Sequence, residues 1–595
     1  MKNIPQRLSD IRDLLAQHKL EAYIVPSNDP HFSEYVADRW KCREWLSGFN
    51  GSAGTLLVTT TSAALWTDSR YFIQAEEQLK GSGIELMRMG LPGVPSIEQY
   101  IKDTLESGSV VGVDGRLFSV SEFERLSEAI APNKLKIAGD LVNPIWSDRP
   151  EMPQSKAFLV PENVSGMSTA NKLQQLIKAA HLHKNHIMLL SALDEVAWLF
   201  NIRGADIAYN PLALAYGAVC YDKAFLFIDT SKLSTEEVKN LEASGVQVKA
   251  YTDFEAFVER IDITQNVIIN PRKTNILIRQ KLQQRSVNIV EDRDANGTAT
   301  SLKAVKNEVE IAGFRHAMEL DGVALVRFYM WLEENLGKEP ITELSIAEKQ
   351  RELRAMSDEF VGESFGTIAG YKANGALPHY SATEASNAEV KSEGFLLIDS
   401  GGQYKTGTTD ITRTVHLSTP TQQEKIDYTL VLKGHIALAM AVFPAGTRGS
   451  QLDILARGPM MQHCINYGHG TGHGVGHFLN VHEGPQSIRI QENPVTLKPG
   501  MVTSNEPALY RPGQYGIRTE NLILCVPYVT NEFGAFERFE TITLCPIDTT
   551  PVEKSMLSTE EVAWLNSYHT MVFERLSTYL NDKEKAWLKV KTQAI

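Results

Sequence analysis

Cysteine is scarce: five in 595 residues, at Cys42, Cys220, Cys464, Cys525 and Cys545, with no Cys-x-x-Cys among them. That spacing excludes a zinc ribbon and a disulfide framework, and it fits a reducing compartment. No run of 18 or more apolar residues occurs, so no membrane span is expected. The first twenty residues, MKNIPQRLSDIRDLLAQHKL, lack the apolar segment of a signal peptide. Leu8, Ile11 and Leu15 recur there at helical spacing among charges, and Asp10 and Asp13 speak against a mitochondrial presequence. A cytoplasmic protein is the expectation. Long Lys/Arg runs are missing too. With 72 acidic against 59 basic residues the net charge is −13, which argues against general nucleic-acid binding.

What is present is ordinary for a globular protein, 43% hydrophobic and 22% charged. A chain of this length buries several cores without metal staples, so a metal here would be catalytic rather than structural. The first half carries a repeat. Ser82-Gly83-Ile84-Glu85-Leu86 resembles Ser244-Gly245-Val246-Gln247-Val248, and Leu65-Trp66-Thr67-Asp68 resembles Leu226-Phe227-Ile228-Asp229. VGVDGR at 111–116 pairs with VIINPR at 267–272. The offsets are 162, 161 and 156, in one order, and each segment is strand-like beside a turn signal. Helical patterns follow, VSEFERLSEAI and NILIRQKLQQ. The reading is two related α/β domains, 1–150 and 151–300, with a Pro-containing seam at 146–153, then a third domain of α+β character at 301–595. That domain opens on a helix with Ala317, Leu320, Ala324, Phe328 and Leu332 as its apolar stripe. Strand-like runs with Gly-rich turns fill 394–546, and STEEVAWLNSYHTMVFERL closes it as a helix.

The chemistry concentrates in this third part. In FLLIDSGGQYKTGTTDITRTVHL, a strand ends at Asp399, Ser400-Gly401-Gly402 is expected to turn, and a second strand carries Asp410. A hairpin brings two such carboxylates to one face, where they repel unless a cation lies between them; a turn acid and a solvated strand acid are the plainer alternative. YGHGTGHGVGHFLNVHEGP holds His469, His473, His477 and His482, four of the 15 histidines. A surface His-Gly loop is countered by Val475, Phe478, Leu479 and Val481, which read as a buried strand; spacing does not choose which histidine is a ligand. Glu506 precedes a proline, and Glu520 shares a strand face with Leu522 and Leu524. An acid on an apolar face is costly unless paired, by a cation or by the neighbouring Arg518. Four carboxylates with imidazole suit manganese, or zinc or cobalt in a binuclear site.

The order Asp399, Asp410, His473, Glu506, Glu520 resembles the pita-bread metallopeptidases, a family that includes methionine aminopeptidase, prolidase and aminopeptidase P. AYIVPSNDPHFSEYVADRWKCREWLSGFNGSAGT at 22–55, ALWTDSRYF at 64–72, WSDRPEMP at 146–153 and the whole of 390–546 extend the likeness to its three-domain cytosolic aminopeptidase P branch. The resemblance implies two creatinase-like domains before a pita-bread catalytic domain. It implies two divalent metal ions, Mn2+ foremost, with Asp399 on one, His473 and Glu506 on the other, and Asp410 and Glu520 bridging. A metal-bridging hydroxide would hydrolyse the first bond of peptides with proline in second position, with Glu506 shuttling the proton. His379 and His482 would assist catalysis and hold substrate; His469 and Arg518 would line the proline side. Arg70 would contact substrate, a part its tandem counterpart Ser231 could not play. A homodimer is implied as well. Ala508 and His477 depart from the family pattern, and no ligand is missing. The alternatives are a prolidase, or a pita-bread module that binds without catalysis.

Overall fold

The computed structural model describes residues 3–595. It divides into two compact units: the chain up to Val160 with Met167–Ala208 and Leu212–Ala299, and Pro161–Gly166 with Tyr209–Pro211 and Thr300–Ile595. No helix among the described residues is long and apolar enough to cross a membrane.

The first unit contains the repeat as architecture. One six-stranded sheet is built from Ala22–Pro26, Thr55–Thr59, Ala63–Thr67, Glu85–Arg88, Val110–Val113 and Lys134–Ile137; the other from His186–Leu190, Ala215–Cys220, Ala224–Ile228, Val246–Lys249, Asn266–Ile269 and Asn288–Glu291. Counted along the chain, the strands of both sheets lie in the order 4-3-2-1-5-6. The three repeated peptides fall on equivalent strands. The helices Val120–Ala129 and Ile276–Gln284 start alike, with Ser119 and Asn275 as caps whose side chains accept the N–H three residues on. These two caps also pair with each other in an antiparallel bridge. Val120 N–H donates to the Thr274 carbonyl at 3.0 Å and Ile276 N–H to that of Phe118 at 2.9 Å. Equivalent residues thus exchange equivalent bonds, the signature of a local two-fold axis.

In the second unit the helix Glu308–Asn335 begins at Asn307, whose side chain accepts from Val309 and Glu310 while Glu310 reaches back to the Asn307 N–H. Ala317, Ala324, Phe328 and Leu332 are buried along it, and Leu320 only partly so. A three-stranded antiparallel sheet has Phe395–Ser400 between Ile368–Tyr371 and Ile411–His416. A six-stranded sheet runs Val442–Pro444, Gly534–Thr541, Asn521–Asn531, Val502–Asn505, Gly472–Gly474, Glu483–Ile488. Their apolar faces, with Phe314 and Val326 of the long helix and Leu565 and Val572 of the closing helix Thr559–Leu576, make one core.

Two local expectations change. The turn after Asp399 does not fall at Ser400–Gly402. The chain continues into Gly402–Tyr404 and turns at Lys405-Thr406 before Gly407–Thr408. Gly401 permits a close crossing, since a Cβ there would lie 2.0 Å from the Thr409 carbonyl. Val475, Phe478, Leu479 and Val481 are buried, but in irregular chain after a three-residue strand. Phe478 has φ 47°, which breaks strand geometry.

Candidate active site

Five acidic and imidazole side chains from separate elements converge at the ends of the sheets. Asp399 closes the strand Phe395–Ser400, and its register partner is Thr412. Asp410 immediately precedes Ile411–His416. His473 sits in the middle of Gly472–Gly474, Glu506 follows Val502–Asn505, and Glu520 lies between Tyr515–Arg518 and Asn521–Asn531. Ligand atoms of Asp399, Asp410 and Glu520 all lie within 4.8 Å of one another; so do those of His473, Glu506 and Glu520, and those of Asp410, His473 and His482. The three groups share Glu520, Asp410 and His473, so six side chains form one continuous cluster.

The groups are set as a cation-binding site requires. His473 Nδ1 is 3.0 Å from the Gly474 carbonyl. Donation there places the ring proton on Nδ1 and leaves the Nε2 lone pair facing Asp410 Oδ2 at 3.5 Å and Glu506 Oε1 at 3.6 Å. A lone pair aimed at two carboxylates is repulsive unless a positive ion intervenes. Asp399 Oδ1 is buried with no hydrogen-bond partner among the described residues, a cost that an ion would remove. Burial, then Glu520 and Asp399, push the Asp410 carboxyl well above its ordinary range. Burial and Glu520 do the same to Glu506, and burial and Asp399 raise Glu520 to about 8. Burial, then His482, lower His473 to about 3. Such crowding of acids beside neutral imidazole fits hard divalent cations.

Arg518 does not pair with Glu520. Its guanidinium donates to Asp399 Oδ2 at 2.5 Å, to Thr412 Oγ1 at 3.0 Å and to the Tyr510 hydroxyl at 2.7 Å. Thr412 Oγ1 in turn donates to Glu520 Oε2 at 2.7 Å. His469 joins the same flank, with Nε2 2.8 Å from Tyr510 Oη and Nδ1 4.0 Å from Glu506 Oε2. His482 lies beside His473, its ring 4.5 Å from that of His473 and 6.4 Å from Phe365. His379 is exposed, three residues beyond the turn Lys372–Ala376, and is not one of the clustered groups. His477 packs edge-on against Phe314 and is likewise outside them. Ala508 is fully buried opposite Arg518 in a two-stranded ribbon. Arg70 belongs to the first unit, exposed and held bidentately by Asp68 at 2.7 Å.

Several supporting residues carry no spacing signal. Tyr510 joins His469 to Arg518. Arg413 is buried and donates to the carbonyls of Glu520 at 2.6 Å and Cys545 at 2.8 Å, and to Asn521 Oδ1. Glu483, beside His482, is gripped in the interior by Lys303 and, at 2.6 Å, Lys306. An arginine between threonines gives no hint that it is the keystone. Only the density of buried charge identifies these groups, and that density exists in space, not along the chain.

Comparison with known proteins meets this geometry from the other side. The description "Metallopeptidase family M24" matches residues 312–527, and the C-terminal region of that peptidase matches 535–595. Creatinase/prolidase N-terminal domains match 7–145 and 148–310. A "Probable Xaa-Pro aminopeptidase P" of Laccaria bicolor is 40% identical over 99% of this chain and 93% of its own length. One from Fusarium vanettenii is 41% identical over 99% and 98%. Among solved structures, an X-prolyl aminopeptidase of Caenorhabditis elegans, described as a cytosolic enzyme with a di-nuclear active site, aligns over 100% of both chains at 35% identity and a TM-score of 0.93. All five converging ligand candidates lie inside the peptidase segment, and the two repeated sheets are the two creatinase-type domains: the chain belongs to metallopeptidase family M24.

Proposed function

We propose that this enzyme is a two-metal aminopeptidase that removes the first residue from peptides whose second residue is proline. The observation that carries it is the overlapping cluster of four carboxylates and His473, set in a chain that aligns end to end with proteins named Xaa-Pro aminopeptidase. Asp399 and Asp410 would hold one divalent cation with Glu520, and His473 and Glu506 the other, Asp410 and Glu520 being shared. Such a pair supplies a Lewis acid for the scissile carbonyl and a water of lowered pKa. Manganese suits the oxygen-rich donor set, with zinc or cobalt next.

The side chains then divide the work. Glu506, whose Oε1 accepts from Ser504 Oγ at 3.2 Å, takes the proton of the attacking water and passes it to the leaving proline nitrogen. His482 and His379 donate to the carbonyl oxygen and the bound peptide as charge develops. Asp399, steadied by Arg518, receives the free amine, which restricts cleavage to the end of the chain. His469 and Arg518 form with Tyr510 a wall for the proline ring, whose missing N–H and fixed φ make shape the means of selection. The three-domain division, a homodimer and a cytoplasmic setting belong to the same reading.

Mass spectrometry of a manganese-loaded sample tests it with four substrates. An Xaa-Pro-Xaa tripeptide is cleaved after its first residue and an Xaa-Ala-Xaa tripeptide is not. Cleavage of an Xaa-Pro dipeptide alone would make the enzyme a prolidase, and of Met-Ala-Xaa alone a methionine aminopeptidase. No cleavage with metal bound would leave a binding module.

A further inference from the structure

A histidine stands where the helical pattern asks for an apolar residue. The helix Gln422–Ala439 buries Tyr428, Val431, Leu432 and Ala439 along one stripe, and His435 lies within it, 0% exposed. Imidazole in a core is costly unless its nitrogens are partnered. Here both are. Nδ1 is 3.1 Å from the Asn505 carbonyl, and Nε2 is 3.1 Å from the Asn521 side-chain nitrogen.

The network fixes which way each group faces. Arg413 can only donate, so the Asn521 atom 2.8 Å from it is the oxygen, and the amino group is the one turned to His435. The ring therefore accepts at Nε2 and carries its proton on Nδ1, which donates to Asn505. Asn505 returns a bond from its Nδ2 to the His435 carbonyl at 2.9 Å. All three residues are fully buried. Asn505 and Asn521 are register partners at the end of the ladder between Val502–Asn505 and Asn521–Asn531. Glu506 follows the first directly, and Glu520 directly precedes the second. The histidine thus ties together the two chain ends from which these carboxylates depart. Their ligand atoms lie within 4.8 Å of each other and of a His473 nitrogen.

We infer that His435 is a positioning residue for the cation assigned to His473 and Glu506, because it sets where Glu506 stands relative to Glu520. The inference rests on the proposed two-metal reading. Glu520 has anchors of its own. Its Oε2 accepts from Thr412 at 2.7 Å, its N–H donates to the Thr412 carbonyl at 3.1 Å, and its carbonyl accepts from Arg413 at 2.6 Å. Glu506 has its N–H on the Thr471 carbonyl at 2.8 Å and a longer side-chain bond from Ser504 at 3.2 Å. The strand end before it is held from the helix by His435. Loosening that end displaces Glu506 while Glu520 stays, so one ion is disturbed more than the other. Groups bonded behind the ligands set the geometry of a metal site, and losing one costs about 10–100-fold in affinity or activity.

The test is calorimetric titration of the metal-stripped full chain with Mn2+, with electron paramagnetic resonance of the loaded protein to read the coupling between two bound ions. His435→Leu removes both ring bonds at similar volume. It should weaken one ion by about tenfold or more, leave the other within about twofold, and lose the coupled signal. Glu506→Gln marks which ion that is and should show the same pattern. His435→Asn keeps a donor beside the Asn505 carbonyl and should restore most of the affinity. Asn505→Ala removes only the bond returned to the helix; it should weaken the same ion less, and it is read even where His435→Leu fails to fold. A lower melting temperature of His435→Leu is expected, since two buried groups lose a partner; the positioning role is read from the selectivity for one ion. Equal weakening of both ions, no weakening, or a His435→Asn no better than His435→Leu would overturn the inference and leave the two-metal reading intact. A wild-type chain that binds no pair of Mn2+ ions would overturn both.

Discussion

Asp410 and His379 separate two kinds of contribution at the scale of single side chains. Asp410 is 3% exposed and belongs to two of the three ligand groups, so on the proposed reading its loss removes the donor assigned to both cations. Asp410→Ala should abolish metal binding and turnover together. His379 stands outside the cluster, exposed on its loop. His379→Ala should keep both metals and lose about 2–4 kcal/mol of transition-state stabilisation, as when an oxyanion donor is removed. Plasma emission for metal content and kcat on a proline peptide read the two effects; metal loss in the His379 variant with Asp410→Ala fully loaded would reverse the roles. The ligand candidates were legible in the sequence because acids on apolar strands and clustered histidines are anomalies of composition. Tyr510 and Arg413 were not, because a tyrosine or an arginine in a strand looks ordinary until its partners are known. Arg518 misled for the same reason: its neighbour in sequence is Glu520, but its partner in space is Asp399.

Elements show how those side chains are kept in place, and where pH acts on the scaffold. The closing helix Thr559–Leu576 docks through His569, whose Nε2 accepts the Ile547 N–H at 3.1 Å. The bond requires a neutral ring, and burial, then Arg413, lower His569 to about 4. The unfolded imidazole protonates near pH 6.5 and the folded one only near 4. Stability from this docking is therefore complete above pH 6.5 and is lost as pH falls through the window toward 4, by on the order of 3 kcal/mol. His569→Gln keeps an acceptor for Ile547 without a titrating group, so its melting temperature should fall less than that of the wild type between pH 6.5 and 4. Parallel curves would show that the helix is not the acid-sensitive element. The helix itself was readable from its periodicity. The turn at Lys405-Thr406 was not, because Gly401 serves close approach to Thr409, and Gly402 close approach to the rings of Tyr404 and Phe360, rather than chain reversal.

At the scale of the whole molecule the governing fact is duplication followed by divergence. Two copies of identical strand order are joined by exchanged bonds at Ser119 and Asn275, equivalent positions 156 residues apart. Three short peptides sufficed to read that repeat because strand ends and turns tolerate little change. The placement of Tyr209–Pro211 with the second unit escaped, because nothing in a tyrosine before Asn-Pro says which unit it will join. A duplicated pair is free to specialise one copy, and the turn after the third strand records it. In the first copy Asp68 holds the Arg70 guanidinium through two bonds of 2.7 Å, fixing its orientation while leaving it 38% exposed. In the second, Asp229 caps a short turn by accepting the Ser231 N–H at 3.0 Å, and an uncharged serine stands where the first copy has Arg70. The equivalent aspartate thus closes the turn in both copies, accepting the N–H of Arg70 at 3.1 Å as it does that of Ser231, and in the first copy orients an arginine as well. A fixed, exposed guanidinium is suited to the carbonyls and C-terminal carboxylate of an extended peptide. Arg70→Ala should lower kcat/KM on longer peptides with fold and metal content unchanged, and Arg70→Lys should not restore it, since a single ammonium cannot reproduce the bidentate hold on Asp68. A kcat/KM unchanged at every peptide length would confine Arg70 to the turn it closes.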